Sequence, residues 1–290
     1  MLVKIEPSEH ITWDKRMPEG PEIRLAADKI AKIIENQIIE DIEVGLPRLA
    51  AAAQILKGKV VDEVETRGKA MLIHFANGQS VYSHNQLYGV WKTCKRGELP
   101  NTKRSLRLAL HTSTHSALLY SASDIAVYER HDLTTHPFLQ KIGPDILHKD
   151  LRWQTISARL IDKRFCNRKL SILYLDQSFI AGIGNYLRTE ILFAAGIHPD
   201  NKPKVLSMEQ LNTLAKQTLI ISKRAYDTKG HTLANRLRKQ LKKTKGNYES
   251  VRFMAFNREG LPCRECVSNI IKGIRNGRRI YWCEYCQPSS

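Results

Sequence analysis

The chain has 290 residues and carries 46 Lys+Arg against 29 Asp+Glu, a formal net charge of +17 at pH 7. A hydrophobic fraction of 42% with 26% charged residues excludes wholesale disorder and allows two domains of ordinary size. No apolar run approaches the ~18 residues of a membrane span, and the excess of positive charge points to a polyanionic partner.

Residues 1–16 form a polar leader without periodicity and without the apolar centre of a secretion signal. Pro21 suits a first helical turn, and Ile23, Ala26, Ala27, Ile30, Ile33 and Ile34 recur on one helical face. From about Ile38 to Val127 the pattern is that of strands. Met71, Ile73 and Phe75 alternate with Ala70, Leu72 and His74, and Asn77-Gly78 is a hairpin turn before Val81-Tyr82. A second pair, Leu106–Leu110 and Ala117–Tyr120, flanks the polar turn 112–115. Short strands at this spacing predict a sandwich or barrel.

Beyond Pro144 the pattern becomes helical. Asp150 is placed to cap a helix through Leu151, Ile156 and Leu160, and Ser207-x-x-Gln210 forms a capping box ahead of Leu211, Leu214 and Leu219. Residues 223–245 hold nine Lys/Arg and one acid, Asp227. Leu233, Leu237 and Leu241 fall four apart in that stretch, so it is either a basic amphipathic helix or a solvated linker. Near the C-terminus stand Cys263-x-x-Cys266 and Cys283-x-x-Cys286. Two such knuckles complete a tetrahedral all-cysteine site, and one structural Zn²⁺ is expected there. Cys94 and Cys166 are isolated and read as small buried hydrophobes.

Five segments then fall in register: Met17-Pro18-Glu19-Gly20-Pro21-Glu22, Arg67-Gly68-Lys69-Ala70, His84-Asn85-Gln86-Leu87-Tyr88-Gly89, Gly182-Ile183-Gly184-Asn185-Tyr186-Leu187-Arg188, and the knuckles with Arg278 between them. Together they resemble the formamidopyrimidine-DNA glycosylase/endonuclease VIII family, the second and third being closest to the bacterial endonuclease VIII branch. The resemblance covers about Met17 to Gln287 and weakens over 230–252. It implies an α+β multidomain protein with an N-terminal β-sandwich behind a leading helix (17–145). A helical domain with a helix–two-turns–helix (146–250) and a zinc ribbon (251–290, finger about 253–287) would follow. The implied activity is that of a bifunctional DNA glycosylase and abasic-site lyase acting on double-stranded DNA with oxidised bases or abasic sites. The expected setting is a monomer in the bacterial cytoplasm, associated with the nucleoid and with no membrane.

By that resemblance Pro18 is the Schiff-base nucleophile, Glu19 a proton donor, Lys69 the proton donor for β-elimination and Arg278 that for δ-elimination. Gln86, Leu87, Tyr88, Lys141 and Asn185 would contact DNA, with Lys141 standing where the family commonly has Arg. Glu22 is a supporting acid. The chemistry asks for an amine that attacks C1′ and becomes an electron sink. At pH 7 roughly 10–15% of an α-amine is free base against about 0.04% of an ordinary lysine. Lys69 is placed on the strand leading to Asn77-Gly78, and Asn185 beside two glycines where backbone amides approach a phosphate. Gln86, Leu87 and Tyr88 suit a wedge that fills the vacancy left by a flipped nucleotide.

One departure is serious. Sixteen residues precede Met17, and an internal proline nitrogen is an amide without a nucleophilic lone pair. The expectation is that the working chain starts at Met17 and loses that residue. A chain that keeps 1–16 is expected instead to be a non-catalytic damaged-DNA-binding protein, and an oxidised-purine glycosylase is the other alternative. A zinc-ribbon RNA-modification factor leaves Pro18-Glu19 and Lys69 unexplained.

Overall fold

The structure, a computed structural model, describes residues 18–243 and 247–289. The predicted leader 1–16, Met17 and Lys245 lie outside the described residues. The chain opens with helix α1 (Gly20–Ile34), which Pro21 starts and whose cap residue, Glu19, donates its own amide to Glu22 Oε2 at 3.0 Å. Ile23, Ala27, Ile30 and Ile34 are buried along one face, and Ala26 and Ile33 flank it half-buried, as their spacing predicts.

Eight strands follow: β1 (Asp41–Val44), β2 (Val61–Arg67), β3 (Ala70–Phe75), β4 (Gln79–His84), β5 (Val90–Lys95), β6 (Leu106–His111), β7 (His115–Tyr120) and β8 (Asp124–Glu129). They form two four-stranded antiparallel sheets, ordered β1-β6-β7-β5 and β2-β3-β4-β8. Met71, Ile73, Phe75 and Val81 of one sheet meet Leu108, Leu110, Ala117 and Leu119 of the other, with α1 closing the core. The β3 side chains between them, Ala70 and Leu72, pack with Tyr82 and Leu133 on the outer face. Both faces of β3 are therefore covered. This half is mostly strand, as expected, and its helical exceptions in the β1–β2 connection are a 3-10 turn, Pro47–Leu49, and a helix, α2 (Ala50–Leu56). A run of alanines has the highest helix propensity of any residue, and Ala53 and Leu56 are buried.

The second half is helical: α3 (Trp153–Ile161), α4 (Leu170–Leu173), α5 (Asn185–Ala194), α6 (Met208–Asp227) and α7 (Asn235–Lys243). Its core joins Ile156, Leu160, Leu173, Phe179, Leu187, Ile191 and Leu214 to Ile280 and Trp282. Ser207 and Gln210 cap α6 reciprocally at 3.2 and 2.9 Å, as predicted. Asp150 does not cap α3. Its amide donates to His148 Nδ1 within a turn, and the helix begins after Arg152. The final hairpin pairs β9 (Ile271–Arg275) with β10 (Arg278–Trp282). Its ribbon is fastened to α5 by Glu190, a buried carboxylate accepting the amides of Met254, Ala255 and Phe256 at 2.8, 2.9 and 2.8 Å.

Candidate active site

The two halves meet where α1 begins. Glu19 is 3% exposed, and its carboxylate accepts the amides of Gly184, Tyr186 and Leu187 at 2.8, 2.8 and 3.2 Å. These donors are the N-terminus of α5, the positive end of its dipole. Burial nevertheless pushes the Glu19 carboxyl up to about 7, against the pull of Lys69 and with help from Glu22. A carboxyl poised there can deliver a proton at neutral pH. Such close approach requires an absent side chain: a Cβ on Gly184 would lie 2.4 Å from Glu19 Cδ. Gly182, at φ +99°, turns the chain so that its carbonyl accepts from Gly20 N–H at 2.8 Å.

Around this carboxyl the structure gathers several of the predicted residues. Pro18 precedes it, half-buried. Lys69 occupies the tight turn between β2 and β3 rather than the strand itself, a correction to its expected place. Gly68, at φ +65°, makes that turn, and its amide donates to Asp145 Oδ2 at 2.5 Å. Burial holds the Lys69 ammonium below the ordinary lysine range, Glu19 opposing and Arg278 adding to the effect. Arg278 projects from the start of β10, exposed. Strand alternation sends Arg278 and its neighbour Arg279 to opposite faces, and the charge that acts on Lys69 is that of Arg278.

Asn185 is the first residue of α5, not its cap, which is Gly184. Its Oδ1 accepts from Arg188 at 2.6 Å. That leaves its NH₂ as the group able to donate to a phosphate. Sequence reasoning missed the role of Arg188, which is 0% exposed. It reaches three segments, donating also to Ser171 O at 2.5 Å and Arg279 O at 2.8 Å. Burial lowers it to about 10, so it stays charged at neutral pH. Also missed were Tyr186 and Arg252, which with the Glu19 amide hold the Glu22 carboxylate: Tyr186 Oη at 3.0 and 3.1 Å, Arg252 Nη2 at 3.2 Å. Tyr186 lies within the Gly182–Arg188 motif without a role of its own, and Arg252 lies in a segment whose only sequence signal is an arginine among apolar residues.

Gln86, Leu87 and Tyr88 form the turn between β4 and β5, closed by Gly89 N–H to Asn85 O at 2.7 Å. Leu87 is 55% and Tyr88 70% exposed, and Gln86 Oε1 accepts from Ser123 Oγ at 3.1 Å. Ala70 pairs with His84 across the sheet, so this loop leaves from the same sheet end as Lys69. Lys141 is not gathered with these groups. It is exposed on the connection between the halves, lining a cleft of about 490 Å³ with Arg159, Arg164 and Arg168.

The sulfurs of Cys263, Cys266, Cys283 and Cys286 all lie within 4.8 Å of one another. Cys263 Sγ is 3.9 Å from Cys286 Sγ and Cys266 Sγ 3.4 Å from Cys283 Sγ. Thiolates at ~2.3 Å from one tetrahedral ion would stand about 3.8 Å apart, so the cluster fits a metal ion. Cys94 and Cys166 are only half-buried.

The Formamidopyrimidine-DNA glycosylase N-terminal domain profile matches residues 17–123, and the Formamidopyrimidine-DNA glycosylase H2TH domain profile matches 142–237. The chain is 45% identical to an Endonuclease 8 of Salmonella paratyphi B and 46% identical to one of Escherichia coli O17:K52:H18. Each match spans 271 residues, 93% of this chain and all of the relative. In fold it matches Lactococcus lactis Fpg (MutM) in a complex with DNA containing an oxidised pyrimidine, with a TM-score of 0.77 at 22% identity over 94% of this chain and 100% of that one. A complex of Lactococcus lactis Fpg with abasic-site DNA matches with a TM-score of 0.76 at 20% identity over 93% and 100%.

Proposed function

Since the chain belongs to the formamidopyrimidine-DNA glycosylase family of base-excision-repair glycosylases with lyase activity, we propose that Pro18, Glu19, Lys69 and Arg278 cut damaged strands in sequence. The observation that carries this reading is the buried Glu19 carboxyl, held near neutrality beside Pro18 and Lys69. The free amine of Pro18 bonds to C1′ as the C1′–base bond breaks and its electron pair leaves with the base. The amine gives up its N–H proton, which the departing base takes, Glu19 protonates the sugar ring oxygen as the C1′–O4′ bond breaks, and the nitrogen is left as an iminium with no further proton to lose. A C2′ proton then passes to water, its electron pair forms the C2′=C3′ bond, and the C3′–oxygen bond breaks with its pair going to the departing phosphate oxygen, towards which Lys69 is the proton donor. A second elimination breaks the C5′–oxygen bond, served by Arg278. Asn185 and Lys141 grip phosphates, and Gln86, Leu87 and Tyr88 fill the vacancy in the duplex.

The wedge and the likeness to Endonuclease 8 relatives support one substrate class for this reading, oxidised pyrimidines in double-stranded DNA. Thymine glycol and dihydrouracil should be excised faster than oxidised guanine in single-turnover assays. The opposite order would move the enzyme to the oxidised-purine branch. No helix among the described residues is long and apolar enough to cross a membrane, and the reading places a monomer on the bacterial chromosome in the cytoplasm.

We assign the four-cysteine site to one structural Zn²⁺, which would supply the folding energy of a ribbon with little core of its own. Cys283→Ser should release the metal and unfold the ribbon. Both Arg278 and the carbonyl of Arg279 that Arg188 binds would then be displaced. Elemental analysis should return one zinc per native chain, and a metal-free native chain would overturn the assignment.

A further inference from the structure

Helix α7 has nine residues, five of them cationic (Arg236, Arg238, Lys239, Lys242 and Lys243), and no acid. Leu237, Arg238 and Leu241 are half-buried, while Arg236, Lys239 and Lys243 are exposed. Those three stand at i, i+3 and i+7, so they form one outward ridge. Like charges four apart, Arg238 with Lys242 and Lys239 with Lys243, cost an isolated helix about 0.2–0.5 kcal/mol each. Among the described residues no carboxylate pairs with the ridge. A polyanion would relieve that repulsion. The leucines lie on the half-buried face, so no apolar face remains for a lipid surface.

The root of α7 is fixed at the active site. Leu233 is fully buried, and Thr232 hydroxyl donates to Glu190 at 2.5 Å. Arg252 Nε donates to Gly230 O at 2.7 Å and Arg224 Nη1 to Thr232 O at 2.8 Å. A Cβ on Gly230 would come 3.2 Å from Glu22 Oε1, the carboxylate that accepts the Glu19 amide. The ridge thus starts a short step from where the lesion must be held. Seven helical residues rise about 10 Å, comparable to three phosphate-to-phosphate steps of one strand at ~3.4 Å axial spacing.

We propose that α7 is a backbone clamp: Arg236, Lys239 and Lys243 hold phosphates of the duplex whose lesion occupies the active site, independently of sequence and damage. The inference rests on the glycosylase reading for its partner but not for its readout. The test is Arg236→Gln/Lys239→Gln/Lys243→Gln in the full chain, where glutamine keeps the helix. Each lost phosphate contact lowers the slope of log affinity against log salt by about 0.9. The triple variant should bind intact and abasic duplexes alike with a slope shallower by about 2 to 3. Its single-turnover rate at saturating enzyme should stay within twofold of the parent. An unchanged slope, or a slope that falls on RNA but not on duplex DNA, overturns the clamp, as does a lost single-turnover rate at unchanged slope. A parent chain that binds with the steep slope yet never cleaves would overturn the glycosylase reading and leave the clamp standing.

Discussion

A chain that begins at Pro18 should be captured covalently on abasic DNA by borohydride, whereas the same chain carrying residues 1–16 should bind that DNA without capture or nicking. The difference is expected to be all or none. In the longer form the Pro18 nitrogen is an amide whose lone pair is delocalised into the carbonyl, while in the shorter form it is a secondary amine with a substantial free-base fraction near neutrality. Mass spectrometry must verify both N-termini. Pro18→Gly in the shorter form keeps an α-amine and should keep part of the lyase activity. Equal capture of the two forms would place the nucleophile elsewhere. Lys69, already below the ordinary lysine range through burial, would then be the first candidate.

Replacing the buried acid should be nearly as severe. Glu19→Gln should slow base excision about 10²–10⁴-fold, the usual share of a positioned proton donor, while a preformed abasic site is still opened. The pH profile carries the sign. Pro18 must be unprotonated, so excision rises with pH towards the α-amine value of about 7.7–8.0. Glu19 must be protonated, so excision falls as pH passes its value of about 7. The parent should therefore show a narrow optimum between those values, and Glu19→Gln should lose the alkaline fall. Gly184→Ala, whose Cβ would overlap the carboxyl, should copy the excision defect with Glu19 still in place. A broad plateau in the parent above pH 8 would show that Glu19 is not the acid.

Local periodicity was enough to place α1, the β3–β4 hairpin and the capped start of α6, because each is decided by residues within a few positions of one another. The alanine-rich α2 was lost among strands since its seven residues are too short to show a helical period. Asp150 failed as a cap for a different reason, its amide being drawn into the turn made by His148. At the site, the motif residues were visible as types in order, and Glu19, Lys69, Asn185 and Arg278 converge. What could not be read was the means of convergence. Arg188 joins Ser171, Asn185 and Arg279, and Arg252 reaches Glu22 across 230 positions. No spacing rule links such residues, and a buried cation without a carboxylate contact has no signature in sequence.

The carboxyl of Glu19 belongs to neither half of the molecule. Its side chain comes from the β-sandwich half, and the amides that enclose it come from α5. Burial is the largest cause of its retained proton, so separating the halves would rehydrate the group and return it towards an ordinary carboxylate, ionised at neutral pH. The acid is therefore a property of the interface: neither half alone supplies both the carboxyl and the enclosure that keeps its proton.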